Sequence, residues 1–157
     1  MENNKKKYQL LFKNQEKRTG LIKEMDEYLN LTIQGIESNY KITGEIEKNS
    51  DKYNYYIDNF LQEIQKLNDE LKNLGETESE TYKKDIKFLL NLESENYKIT
   101  LNIFNNKIKC FDMLKNEDDN HKLIKKEKEI SLLKETLSSI REQINDFITN
   151  LKYKNLY

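Results

Sequence analysis

Apolar residues recur along this chain in alternating steps of four and three, the spacing that lines one face of an α-helix. The clearest run is Tyr53, Ile57, Phe60, Ile64, Leu67, Leu71 and Leu74. Ser50 or Asp51 stands where an N-cap belongs, and Gly75 follows the last leucine, so a helix is expected over 50–74. The segment 75–80, Gly-Glu-Thr-Glu-Ser-Glu, is the strongest punctuation in the sequence. It supplies a C-cap glycine, then Thr77 or Ser79 as the next cap, with acids suited to a helix N-terminus.

A third helix is expected over 79–115, with Tyr82, Ile86, Leu90, Tyr97, Leu101, Phe104, Ile108 and Phe111 on its apolar side. Residues 116–121 read as a polar turn. The fourth helix, 120–156, carries Ile130, Leu133, Leu137, Ile140, Ile144, Phe147 and Leu151 in unbroken four–three steps. Ahead of these, residues 4–48 hold a looser stripe of Ile22, Met25, Leu29, Ile33, Ile36 and Tyr40. Gly20, Gly35 and Gly44 each weaken a helix there by about 1 kcal/mol relative to Ala, so one helix or two broken near Gly20 is expected. Sustained period-two alternation is absent, which argues against strands.

A 35-residue helix is on the order of 50 Å long, and the short turn between the third and fourth predicts a long antiparallel hairpin. The fold class expected is therefore all-α: an elongated antiparallel bundle of three or four long helices with coiled-coil (heptad) seams. It forms a single helical domain over 1–157.

Composition tempers the functional reading. There is no Pro, Trp, Ala or Val, and 25 Lys stand against 2 Arg. Codon bias from an AT-rich genome accounts for these extremes together, so Lys, Asn, Ile and Tyr content carries no functional weight. The lack of Pro removes one cause of helix kinks. Charged residues make up 35% of the chain and mean hydropathy is −0.96. Yet net charge is only −1, and Leu, Ile and Phe supply 42 of 157 residues, enough for a folded core.

The single Cys excludes an internal disulfide and a zinc site built on several cysteines. No apolar run approaches a membrane span, and Leu10, Leu11 and Phe12 are too few for a signal-peptide core. A cytoplasmic protein is expected. Phosphate-loop, dinucleotide and nucleophile-elbow motifs are all missing. His121, after three acids, belongs to a capped turn rather than a metal site, since zinc needs three or four converging ligands. Cys110 reads as a seam residue rather than a nucleophile. No catalytic residue, metal or cofactor is expected, and the chain is read as not an enzyme.

Candidate contact residues come from three places. The sequence Asn-Tyr-Lys-Ile-Thr occurs twice, 57 residues apart, which nominates Asn39, Tyr40, Asn96 and Tyr97 either as polar interruptions of a seam or as chance in a biased composition. The C-terminal run nominates Tyr153, Leu156 and Tyr157, as a docking tail or the last packed turn. Residues 1–24 hold a surplus of four positive charges, including Lys5, Lys6, Lys7, Lys13, Lys17 and Arg18, whereas 37–81 hold six surplus acids. A solvated helix start explains the basic segment better than a nucleic-acid or membrane-surface contact.

The function expected is a non-enzymatic protein-binding module: a chaperone, adaptor or scaffold. A partner helix would fill a seam that the shorter second helix leaves uncovered. Helical chaperones of flagellar or type III export share this general shape, an analogy of fold alone. The alternative is an inhibitor or immunity protein of a phage or bacterial conflict system, binding one enzyme through the acidic middle. A homodimer is the competing way to fill the same seam.

Overall fold

The computed structural model describes residues 2–47, 50–75, 79–114 and 119–156. It is an all-α bundle of four long helices: α1 (Glu2–Thr43), α2 (Ser50–Gly75), α3 (Glu80–Leu114) and α4 (Asn120–Leu156). Cross-helix contacts fix the directions. Tyr8 bonds Asp85 while Gln15 bonds Glu93, so α1 and α3 run parallel. Asn14 meets Leu67 whereas Tyr28 stacks on Tyr56, so α2 returns antiparallel to α1. Phe88 meets Phe147 and Asn96 meets Arg141, so α4 is antiparallel to α3. The chain thus runs up, down, up, down. Among the described residues α1 and α3 touch across the centre, while the backbones of α2 and α4 stay apart.

Local chemistry sets the ends. The Ser79 hydroxyl accepts the Tyr82 N–H at 3.3 Å, the N-cap bond that starts α3; Thr77, the other candidate, lies outside the described residues. α1 closes at Gly44, whose φ of 70° is the left-handed turn that favours glycine. Its N–H donates to the Tyr40 carbonyl at 2.8 Å.

α1 runs unbroken through Gly20, which overturns the expected alternative of two shorter helices. Leu11 and Arg18 before that glycine and Ile22 and Met25 after it are all buried. Burying one large apolar side chain contributes roughly 1.5–3 kcal/mol, which outweighs the cost of one helical glycine.

The core is two apolar clusters, not one. The first joins Tyr8, Leu11 and Phe12 of α1 to Leu71 of α2, Tyr82, Ile86 and Leu89 of α3, and Ile140, Ile144 and Leu151 of α4. The second joins Ile22, Met25 and Leu29 to Ile57, Phe60, Ile64 and Phe104, drawing on three helices. In α2 the expected seam is the buried seam: Ile57, Phe60, Ile64, Leu67 and Leu71 face inward, with Tyr53 and Leu74 partly covered.

α3 differs. Tyr82, Ile86, Phe104 and Phe111 of the expected side are buried, but Leu89, Glu93, Asn96, Thr100, Ile103 and Asn106 also turn inward, whereas Leu90, Tyr97, Leu101 and Ile108 are only half-buried. Over 89–103 the buried face is displaced by about one residue from the most apolar one. With Asn106, four polar side chains of α3 lie in the interior.

Candidate functional site

Between the two apolar clusters lies a buried polar layer. α1 contributes Asn14, Gln15 and Arg18, and α3 contributes Glu93, Asn96 and Thr100, all buried. Both arginines of the chain belong to this layer or its edge.

Arg18 is fully buried. One guanidinium nitrogen donates to Asn68 Oδ1 of α2 at 2.8 Å, and another to Gln15 Oε1 at 3.4 Å. Gln15 passes the network on, donating to Glu93 Oε1 at 3.1 Å. Asn14 donates to the Leu67 carbonyl at 2.9 Å, a second tie to α2. Three polar atoms of this half are left without a hydrogen-bond partner: Asn14 Oδ1, Arg18 Nε and Glu93 Oε2. Burial pushes the Glu93 carboxyl above its ordinary range, against the opposing pull of Gln15, Arg18, Asn96 and Arg141. Burial lowers the Arg18 pKa, opposed chiefly by Glu93.

Arg141 of α4 sits at the open edge, its side chain 34% exposed. Its Nε donates to Asn96 Oδ1 at 2.9 Å, and Nη2 donates to Thr100 Oγ1 at 3.2 Å and Asp26 Oδ1 at 3.1 Å. Nη1 lies 2.9 Å from Asp26 Oδ2. A planar fork can serve three partners on two helices at once; a lysine ammonium in the same place could not. Buried polar groups of this kind resist any sliding of one helix along another, because a shift strands every partner.

The edge holding Arg141 opens into a groove between α1 and α4. Cavities of about 200, 260 and 370 Å³ open along it, the first two sharing Asp26 and Arg141 and the last two sharing Asn145, and a fourth of about 590 Å³ adjoins them on α4 alone. Phe12, Ile22, Ile33, Leu137, Ile144 and Ile148 give the groove its apolar lining. Along α1 it runs from Phe12 to Ile33, or ~30 Å at the helical rise.

The residues nominated by sequence are dispersed. Asn96 is buried and holds Arg141, so it offers nothing to an outside partner. Tyr97 is half-buried edge-on against Phe60. Asn39 and Tyr40 are half-buried near the end of α1, some twenty residues beyond the level of Asn96, which α1 meets between Gln15 and Asp26. The two Asn-Tyr-Lys-Ile-Thr copies therefore do not come together. They share one bond, Thr to the carbonyl four residues back, at 2.8 Å in both. Thr32 makes the same bond, so it reports helical threonine rather than a repeated site.

Tyr153 is 76% exposed, whereas Leu156 packs on the first cluster; Tyr157 lies outside the described residues. In the basic segment Lys5, Lys6, Lys13 and Lys17 are exposed and Lys7 is half-buried. Arg18 is the correction: it points inward and belongs to no surface patch. Its position could have been read from the stripe, because four–three steps taken back from Met25 and Ile22 land on Arg18, Asn14 or Gln15, and Leu11.

Burial and Glu127 raise the pKa of the Cys110 thiol, partly opposed by Lys126, which disfavours a thiolate nucleophile. Among the described residues no three His, Cys, Asp or Glu side chains converge on a metal position, and no helix is long and apolar enough to cross a membrane. The chain matches no family model, no curated protein and no solved structure.

Proposed function

We propose that this chain is a non-enzymatic protein-binding module, a chaperone, adaptor or scaffold, that receives an amphipathic helix of a partner in the α1–α4 groove. The observation that carries the reading is the groove itself. Both walls are long helices, apolar side chains line it on either side of the polar Asp26–Arg141 crossing, and ~30 Å suits a partner helix of roughly twenty residues. Its walls carry Glu16, Glu142 and Asp146 as well as Lys23, Lys134 and Lys152, so the partner would show apolar anchors flanked by charges of both signs. The Asp26–Arg141 pair crosses the groove while still about one-third exposed. A covering helix would desolvate and strengthen it. In this reading the bundle is elongated, its seams pack in coiled-coil fashion, and it acts in the cytoplasm.

Placing a photo-crosslinking residue at Leu137 or Ile148, in the groove, and at Gln62, on the exposed face of α2, tests the assignment in the native host. One discrete heterologous adduct at both groove positions, mapping to a helical segment and absent at Gln62, is expected. Equal labelling at all three positions, or none in the groove, overturns it. An adduct of twice the chain's mass would replace the partner helix by a second copy.

A further inference from the structure

A second groove, between α2 and α3, has a different character. Its cavity of about 510 Å³ falls within the roughly 300–1,000 Å³ typical of small-ligand pockets. The α3 wall supplies Ile86, Leu90 and Tyr97, and three exposed lysines rim it: Lys72 from α2, and Lys83 and Lys87 one turn apart on α3. Among the described residues no carboxylate lines it. That is informative in a chain with 28 acids to 27 bases, because each of the four cavities above has at least one carboxylate in its walls. Lys83 lies 3.7 Å from Glu80, which is itself 83% exposed, a contact that leaves the ammonium available to a better partner. None of these lysines belongs to the basic N-terminal segment; the fold assembles them from two helices.

We propose that this groove binds a free amphiphilic anion: one carboxylate head held between Lys72 and Lys87, with a single unbranched apolar tail along Ile86, Leu90 and Tyr97. Charge complementarity selects the head, since three ammonium groups line one opening and Glu80, which meets Lys83, is itself exposed. The walls select the tail. α2 contributes only Asn68 and Lys72, a single turn, so a partner helix would be gripped on one side for one turn alone. An extended peptide would find no strand edge to pair with, because both walls are helices whose backbones bond internally. An alkyl chain makes no such demand. Ile86 is buried and Leu90 and Tyr97 are half-buried, surfaces that a single tail covers by lying along the groove, so the source proposed is a free single-chain molecule.

Isothermal titration of the full chain with decanoate below its micelle threshold tests this, with decyltrimethylammonium as the matched cationic probe. Saturable one-to-one binding of decanoate is expected. It should weaken by about tenfold or more in a Lys72→Gln/Lys87→Gln double variant, as loss of charged hydrogen bonds implies. Lys84→Gln, an exposed lysine outside the groove, should bind as the parent does. Circular dichroism confirms that each variant is folded. The proposal is overturned by absence of saturable binding, by equal affinity for the cationic probe, or by an equal loss in Lys84→Gln.

Discussion

The two arginines occupy opposite conditions in one polar layer. Arg18 is fully enclosed, keeps one nitrogen without a partner, and relies on neutral amides. Arg141 is one-third open, bonded through all three nitrogens, and faces the carboxylate of Asp26. Burying a charge costs free energy that only complete bonding and an opposite charge recover. By that measure Arg141 is the stabilising member. Arg18 chiefly constrains alignment, since its absence would leave Asn68 and Gln15 without their donor.

The largest effect should come from truncating the enclosed arginine. Arg18→Ala is expected to cost about 3–5 kcal/mol in urea unfolding, since it strands buried partners and leaves a void. Arg18→Met should recover part of that loss by filling the void, while still leaving Asn68 and Gln15 without their donor. If the methionine variant were as damaged as alanine, the contrast between the arginines would collapse.

Glu93→Gln addresses the same half through pH. A carboxyl whose folded pKa is raised holds more protons in the folded than in the unfolded state. Stability is then lost as pH climbs from the ordinary carboxylate range through the raised folded value. The glutamine variant should lack this decline and exceed the parent at neutral pH, provided its amide still pairs with Gln15. Parallel slopes for the two proteins would show that Glu93 titrates alike in the folded and unfolded states, against the raised direction.

At the open edge, Arg141→Lys keeps the charge but loses the fork, with an expected cost of about 1–2 kcal/mol. A double-mutant cycle of Arg141→Ala with Asp26→Asn isolates the ion pair from the Asn96 and Thr100 bonds. Zero coupling would reduce the Asp26–Arg141 pair to a surface contact.

Glycines provide the smallest effects and a control outside the layer. A Cβ at Gly20 or Gly35 would meet nothing within 4 Å. Each Ala variant should raise stability by about 0.5–1 kcal/mol, and a loss would mean that α1 needs flexibility there. Gly44→Ala should be destabilising by a similar amount, because the site needs a positive φ.

How much of this the sequence shows differs from element to element. In α2, apolar spacing alone names the buried face, because only one face is apolar. In α3 both Leu89 and Leu90 are apolar, so hydrophobicity leaves the rotation open; the partners Gln15 and Arg141 decide it, and they lie 78 and 45 residues from the polar atoms they bond. Arg18 sits in step with its stripe, yet a charge in a basic segment reads as solvated until Asn68 stands opposite. The α1–α4 groove cannot be read at all, since it depends on the distance between helices more than a hundred residues apart.

The sequence by itself determined an all-α chain of long helices and the apolar face of α2 and α4, because backbone hydrogen bonding and side-chain periodicity are local. Tertiary structure decided the rotation of α3, the enclosure of Arg18, the bracing role of Arg141 and the two grooves. Each of these is a sum of burial and pairing terms between distant residues, and no local spacing encodes it.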